Sequence, residues 1–169
     1  MRLLGAILAG GQARRFGSDK AHALFDGNRL IDRVADALGT QTTALIVCGR
    51  EEPGFGCVPD QPEAGIGPLG GLNAALGFAE THGFTHVLSA GVDAPNIPSD
   101  LAKQLTGEGP AIVASQPVVG LWPVTVAADL VEFIEGGGRS LYRFADHVSA
   151  RRIEIDPPLL NVNKPEDLS

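Results

Sequence analysis

Residues 3–8, LLGAIL, carry no polar side chain, and the run empties into the glycine pair Gly10-Gly11. A strand without polar alternation is one covered on both faces, as in a parallel sheet packed between helices. Further apolar stretches alternate with amphipathic helical patterns at intervals of about thirty residues, the spacing of βα units. The chain is therefore expected to fold as α/β, a three-layer α/β/α arrangement with a mostly parallel sheet. Residues 1–169 are expected to form one domain, since no linker, internal repeat or low-complexity tract interrupts them.

The first strand opens into a cationic loop, so that residues 6–20 read AILAGGQARRFGSDK. Gly10, Gly11 and Gly17 have no Cβ to keep backbone N–H groups away from a polyphosphate. Arg14, Arg15 and Lys20 add mobile positive charge. Two familiar phosphate loops do not fit. The Walker pattern needs Gly-Lys-Ser/Thr, whereas Gly17 is followed by Ser18, Asp19 and then Lys20; the dinucleotide fingerprint needs GxGxxG, whereas Gly10 and Gly11 are adjacent. Two glycines alone would suit an ordinary βα turn with solvated arginines. LAGG, RFG and DK together, within about a dozen residues, favour a nucleotide site.

The net charge of −7 argues against a nucleic-acid polymer as partner, but charge is unevenly spread. Residues 1–33 hold six Lys/Arg against three Asp/Glu, and residues 136–155 hold Arg139, Arg143, Arg151 and Arg152 against Asp146 and Glu154. Two cationic islands on an acidic protein suit small anionic ligands. Cys48 and Cys57 lack CxxC spacing and the four histidines are scattered, so no zinc site is expected. No apolar run reaches membrane-spanning length and no secretory cleavage pattern follows the first strand, which predicts a cytoplasmic protein with no membrane partner.

Further along, Asn28 is placed to cap a helix with Leu30, Ile31, Val34, Ala35 and Leu38 on one face, ended by Gly39. Strands are expected at 44–47 and near 57–59. Asp60 follows the latter and precedes the turn-rich QPEAGIGPLGG; Pro68 suits the first turn of a helix buried through Leu69, Leu72, Leu76 and Ala79. Gly67, Gly70 and Gly71 either serve close helix-to-sheet packing or line a ligand. Residues 86–92 form a fourth strand delivering Asp93 to its carboxyl end, where ligands of open α/β sheets bind. Ser99 is expected to cap a helix over 100–105. Strands follow at 111–114 and 118–122, one or both antiparallel, then a helix from Thr125 to Glu135 with Ala127, Leu130, Val131 and Ile134 inward. GGGRSLYRF gives a bend and a short helix with Arg139 and Arg143, before a strand at 152–155 and a helical turn from Pro165.

Four stretches, LAGGQARRFGSDK, Asp60 with GPLGG, VDAPNIPSDL and NVNKPEDL, resemble in order and spacing the molybdenum cofactor guanylyltransferases, and they span nearly the whole chain. The resemblance implies a Rossmann-like nucleotidyltransferase fold that joins the GMP part of GTP to the terminal phosphate of molybdopterin and releases pyrophosphate. By position, Leu8, Ala9, Gly10 and Gly11 match the nucleotide-binding start of the loop. Lys20 matches its phosphate-contacting lysine, Asp60 a nucleotide-contacting aspartate, and Asp93 the Mg²⁺ ligand facing the triphosphate. Asn161 and Asn163 match a motif near the acceptor pocket. GPLGG stands for a GPLAG-like segment, Cys48 where asparagine is common, and Lys164 where NVNTPE has threonine. Implied partners are GTP, molybdopterin or molybdenum cofactor, cofactor-handling proteins and molybdoenzyme apoproteins, with the protein itself a monomer.

The residue types agree with this chemistry. Attack of one phosphate on another brings two anions together, so the barrier is repulsion and misorientation. Mg²⁺ on Asp93, the loop N–H groups, Arg15 and Lys20 would take up that charge, and an ionised phosphate nucleophile needs no general base. The second basic island, Arg139 and Arg143 with Arg151 or Arg152, is a candidate acceptor site or a solvated surface. Rival readings are a cytidylyl or sugar-phosphate nucleotidyltransferase and a noncatalytic nucleotide sensor or delivery protein. The sensor reading would be expected to lack the lysine or carboxylates that Lys20, Asp60 and Asp93 supply.

Overall fold

The apolar run forms the strand β1 (Leu3–Leu8), and it lies inside the sheet. The structure is a computed structural model, and it describes residues 1–10 and 19–168. Next comes a short hairpin, β2 (Leu24–Phe25) and β3 (Asn28–Arg29), which leads into helix α1 (Leu30–Gly39). Strands β4 (Ala44–Cys48) and β5 (Gly56–Val58), helix α2 (Pro68–Thr81), strand β6 (His86–Ala90) and helix α3 (Leu101–Leu105) follow. The chain continues through β7 (Ala111–Val113), β8 (Gln116–Pro123), α4 (Ala127–Glu135), α5 (Leu141–His147) and β9 (Arg151–Ile153).

Seven strands make one sheet in the order β5-β4-β1-β6-β8-β7-β9. β1 pairs in parallel with β4 and β6, while β8 runs antiparallel to both β6 and β7. β7 and β9 are parallel again, so the sheet is mostly parallel. From β1 the chain builds outward through β4 to β5, then returns to place β6 on the other side of β1. That reversal opens a crevice beyond the carboxyl ends of β1 and β6, the place where α/β sheets bind ligands.

Alternation along β1 divides the core. Leu4 and Ala6 face α2, α4 and α5 together with Leu72, Leu76, Leu130 and Phe144, whereas Leu3 and Ile7 face α1 and α3 with Ile31, Leu38, Leu101 and Leu105. Both faces are buried, as the unbroken apolar run requires. The one hydroxyl deep in β6, Ser89, donates to Val118 O at 2.8 Å and accepts from Trp122 Nε1 at 3.0 Å, so neither buried polar group is unpaired.

Several local expectations are corrected. Asn28 does not cap α1, because it pairs with Phe25 in the hairpin; Arg29 occupies the cap position, and Leu30 N donates to Ala23 O at 2.9 Å. Asp100, not Ser99, stands at the cap of α3, without a side-chain bond. Thr125 lies within a 3₁₀ turn, Val124–Val126, that precedes α4. Val131 is 41% exposed, because Ala127, Leu130 and Ile134 already fill the inward stripe. Arg139 precedes α5, whose cap is Ser140, and β6 stops at Ala90, which leaves Asp93 on the loop beyond it.

Candidate functional site

The crevice holds a cavity of about 300 Å³ whose walls include Leu8 and Ala9 from the end of β1, and Gly91, Val92 and Asp93 from beyond β6. Lys20 enters from a 3₁₀ turn, Lys20–His22, that follows the first loop. Its Nζ donates to Asp93 Oδ1 at 2.9 Å, with the two side chains 19% and 34% exposed. Each is therefore aimed at the cavity and held there by the other. The loop that carries Asp93 is fixed from a third direction, because Val162 N donates to Asp93 O at 2.8 Å while the Val162 side chain is buried against Leu30.

A smaller hollow of about 140 Å³ adjoins the first and shares Leu8 and Pro68 as walls. Asp60 lies in it, two residues past β5, enclosed by glycines from three elements. A Cβ on Gly10 would come within 2.6 Å of Asp60 Oδ2, one on Gly49 within 2.7 Å of Oδ1, and one on Gly71 within 3.4 Å of Oδ1. Asp60 Oδ1 is buried and has no hydrogen-bond partner among the described residues. Burial pushes its carboxyl above the ordinary value. Gly70 allows close packing, since a Cβ there would meet Ile66 Cγ1 at 2.9 Å and Asp60 Cβ at 3.2 Å, while Gly67 and Gly71 line the Asp60 hollow. Nearby, burial and the charge of Asp60 push the Cys48 thiol up to about 12, so it remains protonated and unsuited to nucleophilic chemistry.

Gly49 is the tightest of these positions. Its φ is +91°, and a Cβ there would meet Gly10 Cα at 2.6 Å, backbone against backbone. Gly49→Ala is expected to cost about 3 kcal/mol of stability from combined strain and overlap. Urea unfolding of the purified variant checks this; an unchanged midpoint would show that the two loops separate freely.

The structure brings Leu8, Ala9, Gly10, Lys20, Asp60 and Asp93 together. Gly11 and Arg15, like Arg14 and Gly17, lie outside the described residues. Asn161 and Asn163 are exposed and flank Val162, one residue to either side of its bond to Asp93. Arg139 and Arg143 line a separate hollow beside Phe133, and Arg139 Nη1 donates to the carbonyls of Ile134 and Gly138 at 3.1 and 2.7 Å. Arg151 binds the carbonyls of Leu105 and Glu108, and Arg152 pairs with Asp146, so the second basic island is dispersed over different partners.

Two further charged residues face the larger cavity: Asp19, from the DK pair beside the loop, and Arg50, which the sequence did not single out. Arg50 grips Asp19 by two bonds, Nη1 to Oδ1 at 2.9 Å and Nη2 to Oδ2 at 2.8 Å. Arg50 Nη2 is also 3.3 Å from Glu52 Oε2, a carboxylate with 1% exposure that His22 and Arg29 hold as well. Their sequence separation, with Asp19 and Arg50 31 residues apart, leaves no local signal to find them by.

The lysine–aspartate pair at the topological switch, beside Leu8 and Ala9 at the end of the first strand, is a candidate site for an anionic ligand. Comparison with known proteins agrees: residues 5–151 match the model of the MobA-like NTP transferase domain. The chain belongs to the MobA-like NTP transferase family. A molybdenum cofactor guanylyltransferase of Cereibacter sphaeroides is 39% identical over 183 residues, an alignment that covers all of this chain and 95% of the relative. Among solved structures, molybdopterin-guanine dinucleotide biosynthesis protein A from Archaeoglobus fulgidus superimposes with a TM-score of 0.77 at 20% identity, covering 98% of this chain and 94% of the other. The 2-C-methyl-D-erythritol 4-phosphate cytidylyltransferase of Thermus thermophilus follows the same fold, with a TM-score of 0.70 at 15% identity, covering 99% and 95%. As a member of the MobA-like family the chain is a nucleotidyltransferase, and the Lys20–Asp93 cavity is its candidate active site. No helix among the described residues is long and apolar enough to cross a membrane.

Proposed function

We propose that this nucleotidyltransferase transfers GMP from GTP to the terminal phosphate of molybdopterin and releases pyrophosphate. The observation that carries the reading is the buried, unpartnered Oδ1 of Asp60 in the hollow beside the Lys20–Asp93 cavity. Guanine offers two adjacent donors, N1–H and the 2-amino group, that a carboxylate accepts together; the equivalent edge of cytosine presents an acceptor at N3. Pairing a desolvated carboxylate with those donors stabilises the ionised form that burial disfavours.

With the base at Asp60, the phosphates extend past Leu8 and Ala9 toward Lys20. An oxygen of the acceptor phosphate attacks the α-phosphorus, a P–O bond forms, and the bond from that phosphorus to the bridging oxygen of pyrophosphate breaks. Lys20 offsets the charge on the phosphates, and Arg15 is assigned the same role from its place in the loop. The acceptor oxygen is already ionised, so no side chain needs to remove a proton.

Asp93 fits a Mg²⁺ ion. It is a partly exposed carboxylate in the wall of the main cavity. Asp93 would hold such an ion through its carboxylate, an oxygen ligand of the kind that Mg²⁺ prefers. When bound, it supplies charge stabilisation at the phosphates. Asn161 and Asn163, beside the strap on Asp93, are assigned to the acceptor side; Arg139 and Arg143 are a second candidate acceptor contact, and the hollow that they share with Phe133 is distinct from the main cavity.

The test is pyrophosphate release with Mg²⁺, comparing GTP and CTP, each with molybdopterin, with a sugar-phosphate mixture and without acceptor. Release only with GTP and molybdopterin is expected. Release with CTP or a sugar phosphate would move the chain to another branch of the same chemistry, and no release under any condition, with nucleotide binding intact, would support a sensor or delivery role.

A further inference from the structure

A carboxylate in the wall of a cavity built for a triphosphate is an electrostatic contradiction. Asp19 stands in that wall, adjacent in sequence to Lys20. Left to itself, it would repel the phosphates and compete with them for the lysine. Its main-chain role does not require a charge, since Oδ1 accepts from Ala21 N at 3.2 Å, a bond that an asparagine oxygen makes equally well.

We propose that Arg50 is a positioning residue of the phosphate cavity, which takes both oxygens of Asp19 and so keeps an uncompensated carboxylate away from Lys20 and the substrate. The two parallel bonds, 2.9 and 2.8 Å, match the planar fork of a guanidinium to a carboxylate. Arg50 follows Gly49, past the end of β4, and its Nη2 is anchored by buried Glu52 at 3.3 Å. Glu52 is itself held by His22 Nε2 at 2.8 Å and Arg29 Nη1 at 3.3 Å. The guanidinium is thus fixed from behind while its front edge is given to Asp19. The Arg50 hydrogen bonds, with smaller contributions from His22, whose Nδ1 is 3.4 Å from Asp19 Oδ2, and from Ala21 N, hold the Asp19 carboxyl down to about 2. Among the described residues Lys20 then faces the cavity paired with Asp93, the carboxylate assigned to the metal.

The inference rests on the nucleotidyl-transfer reading, and GTP binding separates the two. Arg50→Gln is expected to weaken GTP binding to the purified protein about tenfold by calorimetry, with KM rising more than kcat falls. Adding Asp19→Asn to that variant should restore affinity to within about threefold of wild type, because the offending charge is gone. A role confined to folding would show the same loss of thermal stability with no such rescue. Should Arg50→Gln fail to fold, Arg50→Lys keeps the charge and loses the fork, and Asp19→Asn is then expected to rescue its smaller loss. Wild-type affinity in Arg50→Gln would overturn the proposal, as would a double variant as weak as the single one, the mark of direct phosphate contact. If wild type binds neither GTP nor CTP, the functional reading itself fails.

Discussion

Replacement of Asp93 by alanine is expected to lower Mg²⁺-dependent pyrophosphate release at least about 10³-fold, because the transition state loses the carboxylate assigned to the metal. The fold should survive. The Asp93 side chain is 34% exposed and, among the described residues, bonds to Lys20, while the bond that ties its loop to the C-terminal strap uses the main-chain carbonyl, which alanine keeps. Steady-state rates across a Mg²⁺ titration, with thermal melting alongside, check both halves. A variant that melts like wild type and retains more than a tenth of its activity would reject the metal assignment.

Asp60→Asn is expected to give a more stable but poorer enzyme. The carboxyl of Asp60 titrates above 3.8 in the folded protein because burial disfavours its charge. Between 3.8 and that raised value the folded state binds more protons than the unfolded chain, so stability falls as pH rises through the window and stays reduced above it. Asparagine carries no such deficit. The variant should therefore melt higher than wild type at pH 7, and the difference should shrink as pH falls below 3.8. GTP binding should weaken about 30-fold with loss of a charge-assisted bond worth roughly 2 kcal/mol, and preference over CTP should narrow. A variant less stable than wild type at pH 7 would show that the carboxylate is stabilised where it sits.

The parts of this design written in local sequence were legible there. The unbroken run at residues 3–8 announced a strand covered on both faces, and the expectation that Asp93, beyond the fourth strand, comes close to the segment after the first is met by its bond to Lys20. Helix starts were misread where a polar residue in the expected place had another use. Asn28 is such a case, although Asp26-Gly27, with φ of 51° and 84°, is a hairpin signal that accounts for it. Periodicity cannot tell how wide a buried stripe is, so Val131 was expected inside beside Leu130 and is not. The clamp of Asp19, Arg50 and Glu52 was invisible for a different reason: it joins two loops through side-chain geometry, and although Asp19 belongs to the DK pair beside the loop, nothing local ties it to Arg50 or Glu52.

The glycine enclosure around Asp60 also limits how this site can diverge. Gly10, Gly49 and Gly71 reach it from β1, from beyond β4 and from α2, so no single substitution makes room there. A glutamate or glutamine at position 60 would drive its longer side chain into the backbone of two loops. Change of base preference in a lineage built on this enclosure is therefore confined to residues no larger than aspartate, or must begin with a shift of the loops themselves. The guanine recognition proposed for Asp60 would, in that sense, be an inherited commitment of the scaffold, one that a change at this single position does not readily revise.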